Sequence, residues 1–159
     1  MHAAIPVLLL ALFAHPAFAA TASVEFEKPD SFTDAGRPFP ASARLESLPF
    51  LRDHLVKEAA TRLPAGEALS VWITDVDLAG QYEPGGSGIR DVRVVKEIYP
   101  PRIDLRFRLA RADGSTVKEG TRTLRDFGFL SGGGPADRQD ALRYEKAMLD
   151  RWLAEEFRR

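Results

Sequence analysis

The chain contains no cysteine and only three histidines in 159 residues. Without thiols it can form no disulfide and no thiolate metal site, and it has no cysteine to carry a lipid anchor. Two of the histidines, His2 and His15, fall in an amino-terminal stretch with the form of a removable signal, which leaves His54 alone in a helical pattern. A single histidine cannot furnish a zinc, copper or iron site, and it is poorly placed to act as the base of a serine nucleophile. Neither glycine cluster supplies a catalytic or phosphate-binding motif. Gly86-Ser87-Gly88 and Ser131-Gly132 lack the Gly-x-Ser-x-Gly elbow, and no glycine run is followed by Lys-Ser or Lys-Thr. No cofactor is expected. Beyond the amino terminus no apolar run approaches the length that spans a bilayer.

The amino terminus carries an apolar run from Ile5 to Ala14, then His15-Pro16, then Ala17-Phe18-Ala19. That run is too short for a membrane span, and the small residues before Ala20 suit a signal peptidase. The expectation is a signal peptide over residues 1–19 cleaved near Ala19, followed by one domain over 20–159. A chain of that size buries a core without external staples, and export without a lipid-anchoring Cys, a disulfide or a further apolar span leads to the expectation of a soluble, periplasmic mature protein.

A formal net charge of -1 and a pI near 6.3 argue against nucleic acid as a partner. The charge is unevenly spread: Arg90 to Arg125 holds eight Arg and two Lys against five acids. A basic segment of this kind attracts anions, or is balanced by acids elsewhere in the fold.

Ser23 to Glu27 alternates as a short strand, and Pro29 to Pro40 reads as extended loop. Leu48, Leu51, Leu55, Ala59 and Leu63 then recur at helical spacing after Ser47, an expected N-cap, and Pro64-Ala65-Gly66 stops the helix. Leu69, Val71 and Ile73 alternate with Ser70, Trp72 and Thr74. Val76 and Leu78 are out of phase with that series, which predicts a bulge or a strand end near Asp75. Further strands are expected over Asp91–Ile98, over Arg102 to Leu109, and from Thr116 to Leu124 after a turn at Asp113-Gly114. A last helix, capped by Asp137, is expected to bury Ala141, Tyr144, Met148, Leu149, Trp152, Leu153 and Phe157. The order predicts an α+β fold: a two-layer sandwich in which two helices cover one face of a mixed, mainly antiparallel sheet of four to five strands.

Alternation places Trp72 on the uncovered face with Arg102, Arg106 and Arg108, an aromatic among guanidinium groups. Asp75 to Gly80 imitates the start of a calcium loop but lacks an oxygen donor at Ala79 and has Gly86 where a bidentate Glu is required. Asp75 and Asp77, with Glu83, are the carboxylates from which a hydrolase of envelope glycan or lipid would be built.

Several strings carry a resemblance: Phe32-Thr33-Asp34, Ile73 to Gly80, Asp91-Val92-Arg93, Pro101 to Leu105, Arg143 to Lys146, Met148-Leu149-Asp150 and Trp152. Together they are similar to a family of exported bacterial proteins catalogued as domain of unknown function 3016. The resemblance implies an envelope location in Gram-negative bacteria and a single-domain build, and implies no activity. The charges in those strings, Asp75, Asp77, Arg93, Arg102, Asp104, Arg143 and Glu145, are expected either to form a fixed network between sheet and last helix or to line a polar groove. With Trp72 and Arg106 they make the candidate binding set. The expected role is a non-enzymatic binding or accessory module whose partner is an envelope protein or an anionic envelope ligand. The alternatives are the hydrolase and dimerisation through a sheet edge or the Phe127–Leu130 loop.

Overall fold

The computed structural model describes residues 19–35, 46–83, 93–131 and 139–158. Residues 1–18 of the expected signal segment, the glycine-containing stretch 84–92 and the expected cap Asp137 lie outside the described residues.

Strand β1 (Thr21–Phe26) leads through a 3-10 turn (Pro29–Ser31) to helix α1 (Ser47–Arg62) and then strand β2 (Glu67–Asp77). The main sheet has the order β1-β2-β5-β6, where β5 is Arg102–Arg111 and β6 is Thr116–Arg125. β1 runs parallel to β2, which requires the α1 crossover, and the other pairs are antiparallel. Helix α2 (Arg143–Glu156) closes the chain and packs with α1 over the same face. The α+β expectation, with two helices at one side of a mixed four-stranded sheet, is thus met.

The α1 stripe behaves as its spacing predicts: Leu48, Leu51, Leu55, Ala59 and Leu63 are all buried. Ser47 differs from its expected role. It is the first helical residue rather than the cap, and its hydroxyl donates to the Ala35 carbonyl, tying the helix start to the preceding loop. On the sheet these side chains meet Leu69, Val71, Ile73, Ile103 and Leu105, and on α2 Met148, Leu149, Trp152 and Leu153 complete the core. Each such fully buried aliphatic side chain contributes about 1.5–3 kcal/mol. Trp152, Phe107 and Phe157 meet edge to face with centroids 5.6 to 5.7 Å apart.

The expected phase slip is a bulge at Thr74. Ile73 pairs with Leu105 and Asp75 with Asp104, so Thr74 is left without a counterpart on β5. The extra residue keeps Val76 in the core while Asp75 and Asp77 stay on the uncovered face with Trp72. The turn at Asp113-Gly114 is also as expected: Gly114 has φ 82°, and Arg111 exchanges backbone bonds with the turn.

Two expectations are corrected. The strand expected over Asp91–Ile98 is, among the described residues, only β4 (Arg93–Val94), which pairs with β3 (Gln81–Tyr82) in a separate two-stranded ribbon. Residues 97–99 form a turn, because Gly80 N–H donates to the Tyr99 carbonyl and Tyr99 N–H to that of Lys96. In the last helix Ala141 is exposed and Leu142 takes its place in the core. The helix starts at Arg143, after Asp140 accepts the Leu142 N–H at 2.8 Å, so only the first position of the stripe changes: Met148, Leu149, Trp152 and Leu153 are buried as expected, and Tyr144 and Phe157 are half-buried.

Candidate functional site

The charged motifs converge where β2 leaves the sheet. Asp34 forms a parallel bridge with Asp77, its N–H donating to the Val76 carbonyl at 2.8 Å and its own carbonyl accepting the Leu78 N–H at 3.0 Å. The chain after β1 therefore rejoins β2 beyond the bulge, and this brings Thr33 over Asp75.

Asp75 is fully engaged. One oxygen accepts from Thr33 N–H (2.7 Å) and Val76 N–H (2.9 Å), and the other from the Thr33 hydroxyl (2.7 Å) and Arg102 (2.5 Å). Burial would push its carboxyl up, but the Thr33 bonds and the Arg102 guanidinium outweigh burial and hold it below the ordinary value. Arg102 also donates to Asp104, so one guanidinium joins β2 to its own strand.

Asp77 stands in contrast. Its side chain accepts no hydrogen bond from the described residues, although Arg102 and Arg93 act on it from a distance. Partial burial pushes its carboxyl up, the neighbouring acids Asp34 and Asp75 add to this, and the two arginines only partly oppose it. Two aspartates two residues apart on one strand thus have opposite shifts. One is a structural anchor and the other faces solvent-filled space.

That space is a cleft of about 410 Å³. It is lined by Thr33 and Asp34, by Asp77 and Leu78 at the end of β2, by Gly80 and Gln81, by Ile98 to Pro100, and by Arg125 and Phe127. The volume falls in the range of about 300–1,000 Å³ usual for small-molecule sites. Ile98 and Phe127 are 71% and 68% exposed, the two most exposed large apolar side chains among the described residues. Arg125 forms no ion pair with a described residue, and its guanidinium lies 5.5 Å from the Phe127 ring centroid.

Arg93 and Glu145 shape this cleft from behind. The Arg93 guanidinium donates to the Gly80 carbonyl at 2.7 Å and the Leu78 carbonyl at 3.3 Å, pairs with Asp34 at 2.6 Å, and lies over Tyr82. On the other side of the same turn, Glu145 accepts the Ala79 N–H at 2.7 Å while its second oxygen is buried with no hydrogen-bond partner among the described residues. Burial pushes this carboxyl above its ordinary value, against the opposing pull of the Ala79 N–H bond and the Arg93 charge. Gly80 completes the turn at φ 83°, and a Cβ there would sit 2.6 Å from the Val94 carbonyl oxygen.

The remaining candidates lie elsewhere. Trp72 and Arg106 are neighbours on the uncovered face, 4.8 Å from guanidinium carbon to ring centroid, but Arg106 is ion-paired to Glu27. Arg108 bonds to Thr116 and the Gly114 carbonyl. Arg143 donates to the Asp140 carbonyl and stacks on Tyr144, so it does not join the sheet network that its motif suggested. Glu83, the third acid of the hydrolase reading, is held by Lys96 and Tyr99. His54 lies within 2.9 Å of Asp150 and links the two helices. Among the described residues no group of three or more His, Cys, Asp or Glu side chains is arranged to hold a metal. No helix among them is long and apolar enough to cross a membrane.

Ile98, Tyr99 and Arg125 are not legible in the sequence as site residues, and Phe127 stands out there only as part of a candidate dimerisation loop. The one available signal was the register across three strands, Asp77 opposite Arg102 and Arg102 opposite Arg125, which places Arg125 in the Asp77 row. No curated protein and no solved structure matches the chain. A family model does match, over residues 20–155, and the chain belongs to the family described as Protein of unknown function (DUF3016).

Proposed function

We propose that the protein is a non-enzymatic binding or accessory module of the bacterial cell envelope, exported to the periplasm after cleavage near Ala19. The observation that carries this reading is the cleft at the end of β2, where the Asp77 carboxyl, which accepts no hydrogen bond from the described residues, shares the lining with the exposed Ile98 and Phe127. Apolar rims around a few unsatisfied polar groups are the usual make-up of a binding site. The start of the family match at residue 20, directly after the expected signal, supports the exported address.

The hydrolase alternative needs two carboxylates free to exchange protons with a substrate. Asp75 has both oxygens bonded to Thr33, Val76 and Arg102 and is not part of the cleft lining, which favours binding over hydrolysis.

The test incubates immobilised protein with envelope extract, beside Asp77→Asn and Phe127→Ala variants of unchanged fold. A species retained by the wild type and lost by both variants is the expected result. Retention of nothing, or equal retention by all three, overturns the reading. Fractionation checks the address: recovery with the periplasmic contents and an amino terminus at Ala20 is expected, and an uncleaved cytoplasmic chain would contradict it.

A further inference from the structure

The charges around the cleft differ in what remains for a ligand to meet. Asp34 is bonded to Arg93, and Arg102 is occupied by Asp75 and Asp104. Glu83 is bonded to Lys96. That leaves Asp77 and Arg125, of opposite sign, as the lining charges without an ion pair among the described residues.

Register fixes how these two stand. Asp77 pairs with Arg102 and Arg102 with Arg125 across β2, β5 and β6, so all three project from the same face in a single row. Their backbones are two strand spacings apart, about 10 Å, and both side chains line the one cleft. An anion alone would meet the Asp77 carboxylate, and a cation alone would meet the Arg125 guanidinium. A ligand carrying both signs satisfies both ends. The exposed Ile98 and Phe127 at the same cleft call for an apolar portion as well.

Resting on the binding-module reading, we infer that the cleft takes a small amphipathic zwitterion, with its ammonium group against Asp77, its anionic group against Arg125 and its apolar part between Ile98 and Phe127. Two sources share this chemistry: a phosphoethanolamine lipid headgroup with its chains, and a short peptide with free termini and an apolar side chain. Arg102 serves neither end of the ligand directly. It stands between the two groups, and its bonds to Asp75 and Asp104 hold the row in place.

The experiment titrates the isotopically labelled protein, followed by NMR, with dihexanoylphosphatidylethanolamine and with the dipeptide alanyl-phenylalanine. Each is compared with an N-acetylated analogue, which lacks the cation; the dipeptide is also compared with its methyl ester, which lacks the anion. At least one zwitterion is expected to bind with shifts confined to the cleft, and the one that binds identifies the source. Removing either charge is expected to weaken binding by about fivefold or more. Asp77→Asn is expected to erase the penalty for N-acetylation, and Arg125→Gln the penalty for esterification, while thermal unfolding reports that both variants are folded. Absence of binding by both zwitterions, or a smaller loss when charges are removed, overturns the assignment. If that happens while the cleft variants still lose a species from envelope extract, the zwitterion falls and the binding module stands.

Discussion

Replacing Asp75 and Asp77 separately with Asn tests the division between anchor and site. In Asp75→Asn the amide oxygen can keep the Thr33 and Val76 N–H bonds, at 2.7 and 2.9 Å. The amide NH2 then takes the place of the oxygen that now receives the Thr33 hydroxyl at 2.7 Å and Arg102 at 2.5 Å. A charge-assisted bond is worth about 1.5–3 kcal/mol, and here it is replaced by two donors facing each other. Arg102 keeps Asp104, which limits the loss, so a cost of about 2 kcal/mol is expected. Asp77→Asn removes no hydrogen bond from the described residues; it relieves the burial of a charge and repulsion from Asp34 and Asp75 but gives up attraction to Arg102 and Arg93, so its effect should stay within about 0.5 kcal/mol of zero. Urea unfolding at neutral pH reads both. With a slope of about 2 kcal/mol per molar, Asp75→Asn lowers the midpoint by about 1 M and Asp77→Asn leaves it in place. Equal loss in the two variants would mean that Asp77 is also a structural ion and would refute the division.

Glu145 adds a pH dependence. Its folded-state carboxyl is raised above the ordinary 4.5, so its contribution to stability is fully present below pH 4.5 and is lost as pH rises through the folded value. Glu145→Gln keeps an acceptor for the Ala79 N–H and should flatten the fall in stability above pH 4.5; an unchanged slope in denaturation curves across that range would contradict this. Asp75 has the opposite sign, since its lowered carboxyl stabilises above pH 3.8 and that stabilisation is lost as pH falls through the folded value; Asp75→Asn should therefore be less sensitive to acid than the wild type. Gly80→Ala combines a strained φ with a backbone clash at Val94 and should cost about 2 kcal/mol or more by urea unfolding, whereas Gly114→Ala, which meets nothing within 4 Å, should cost only its φ strain, about 1 kcal/mol. Leu55→Ala, at a fully buried position, should cost about 2–5 kcal/mol by the same assay.

What the chain discloses by itself is mostly periodic. The α1 stripe, the alternation of β5 and the phase slip at Thr74 are local patterns, and each appears where the spacing places it because one face of each element is buried. Of the β3-β4 ribbon the sequence discloses only β4, inside a longer expected strand, because two paired residues make too short a period to show β3 or the ends of β4, and the position of the ribbon depends on Gly80 and Arg93 meeting across a sequence gap. Glu145 was singled out as a charge, yet its burial follows from the helix face it shares with Met148 and Leu149, where a polar residue breaks the stripe. The cleft was half legible. Asp77 stood in a noticeable acidic string, while Arg125 and Phe127 acquire meaning only through strand register and the loop after β6.

The central claim is that Asp77, and not Asp75, is the acid that meets a ligand. Carboxyl carbon NMR of the aspartates through an acid titration, with and without the zwitterion that binds, tests it directly. Asp77 is expected to titrate above 3.8 and Asp75 below it in the free protein. Ligand should lower the Asp77 midpoint, because a bound ammonium favours the carboxylate, and leave that of Asp75 unchanged. A ligand-induced shift at Asp75 with none at Asp77 would contradict the account.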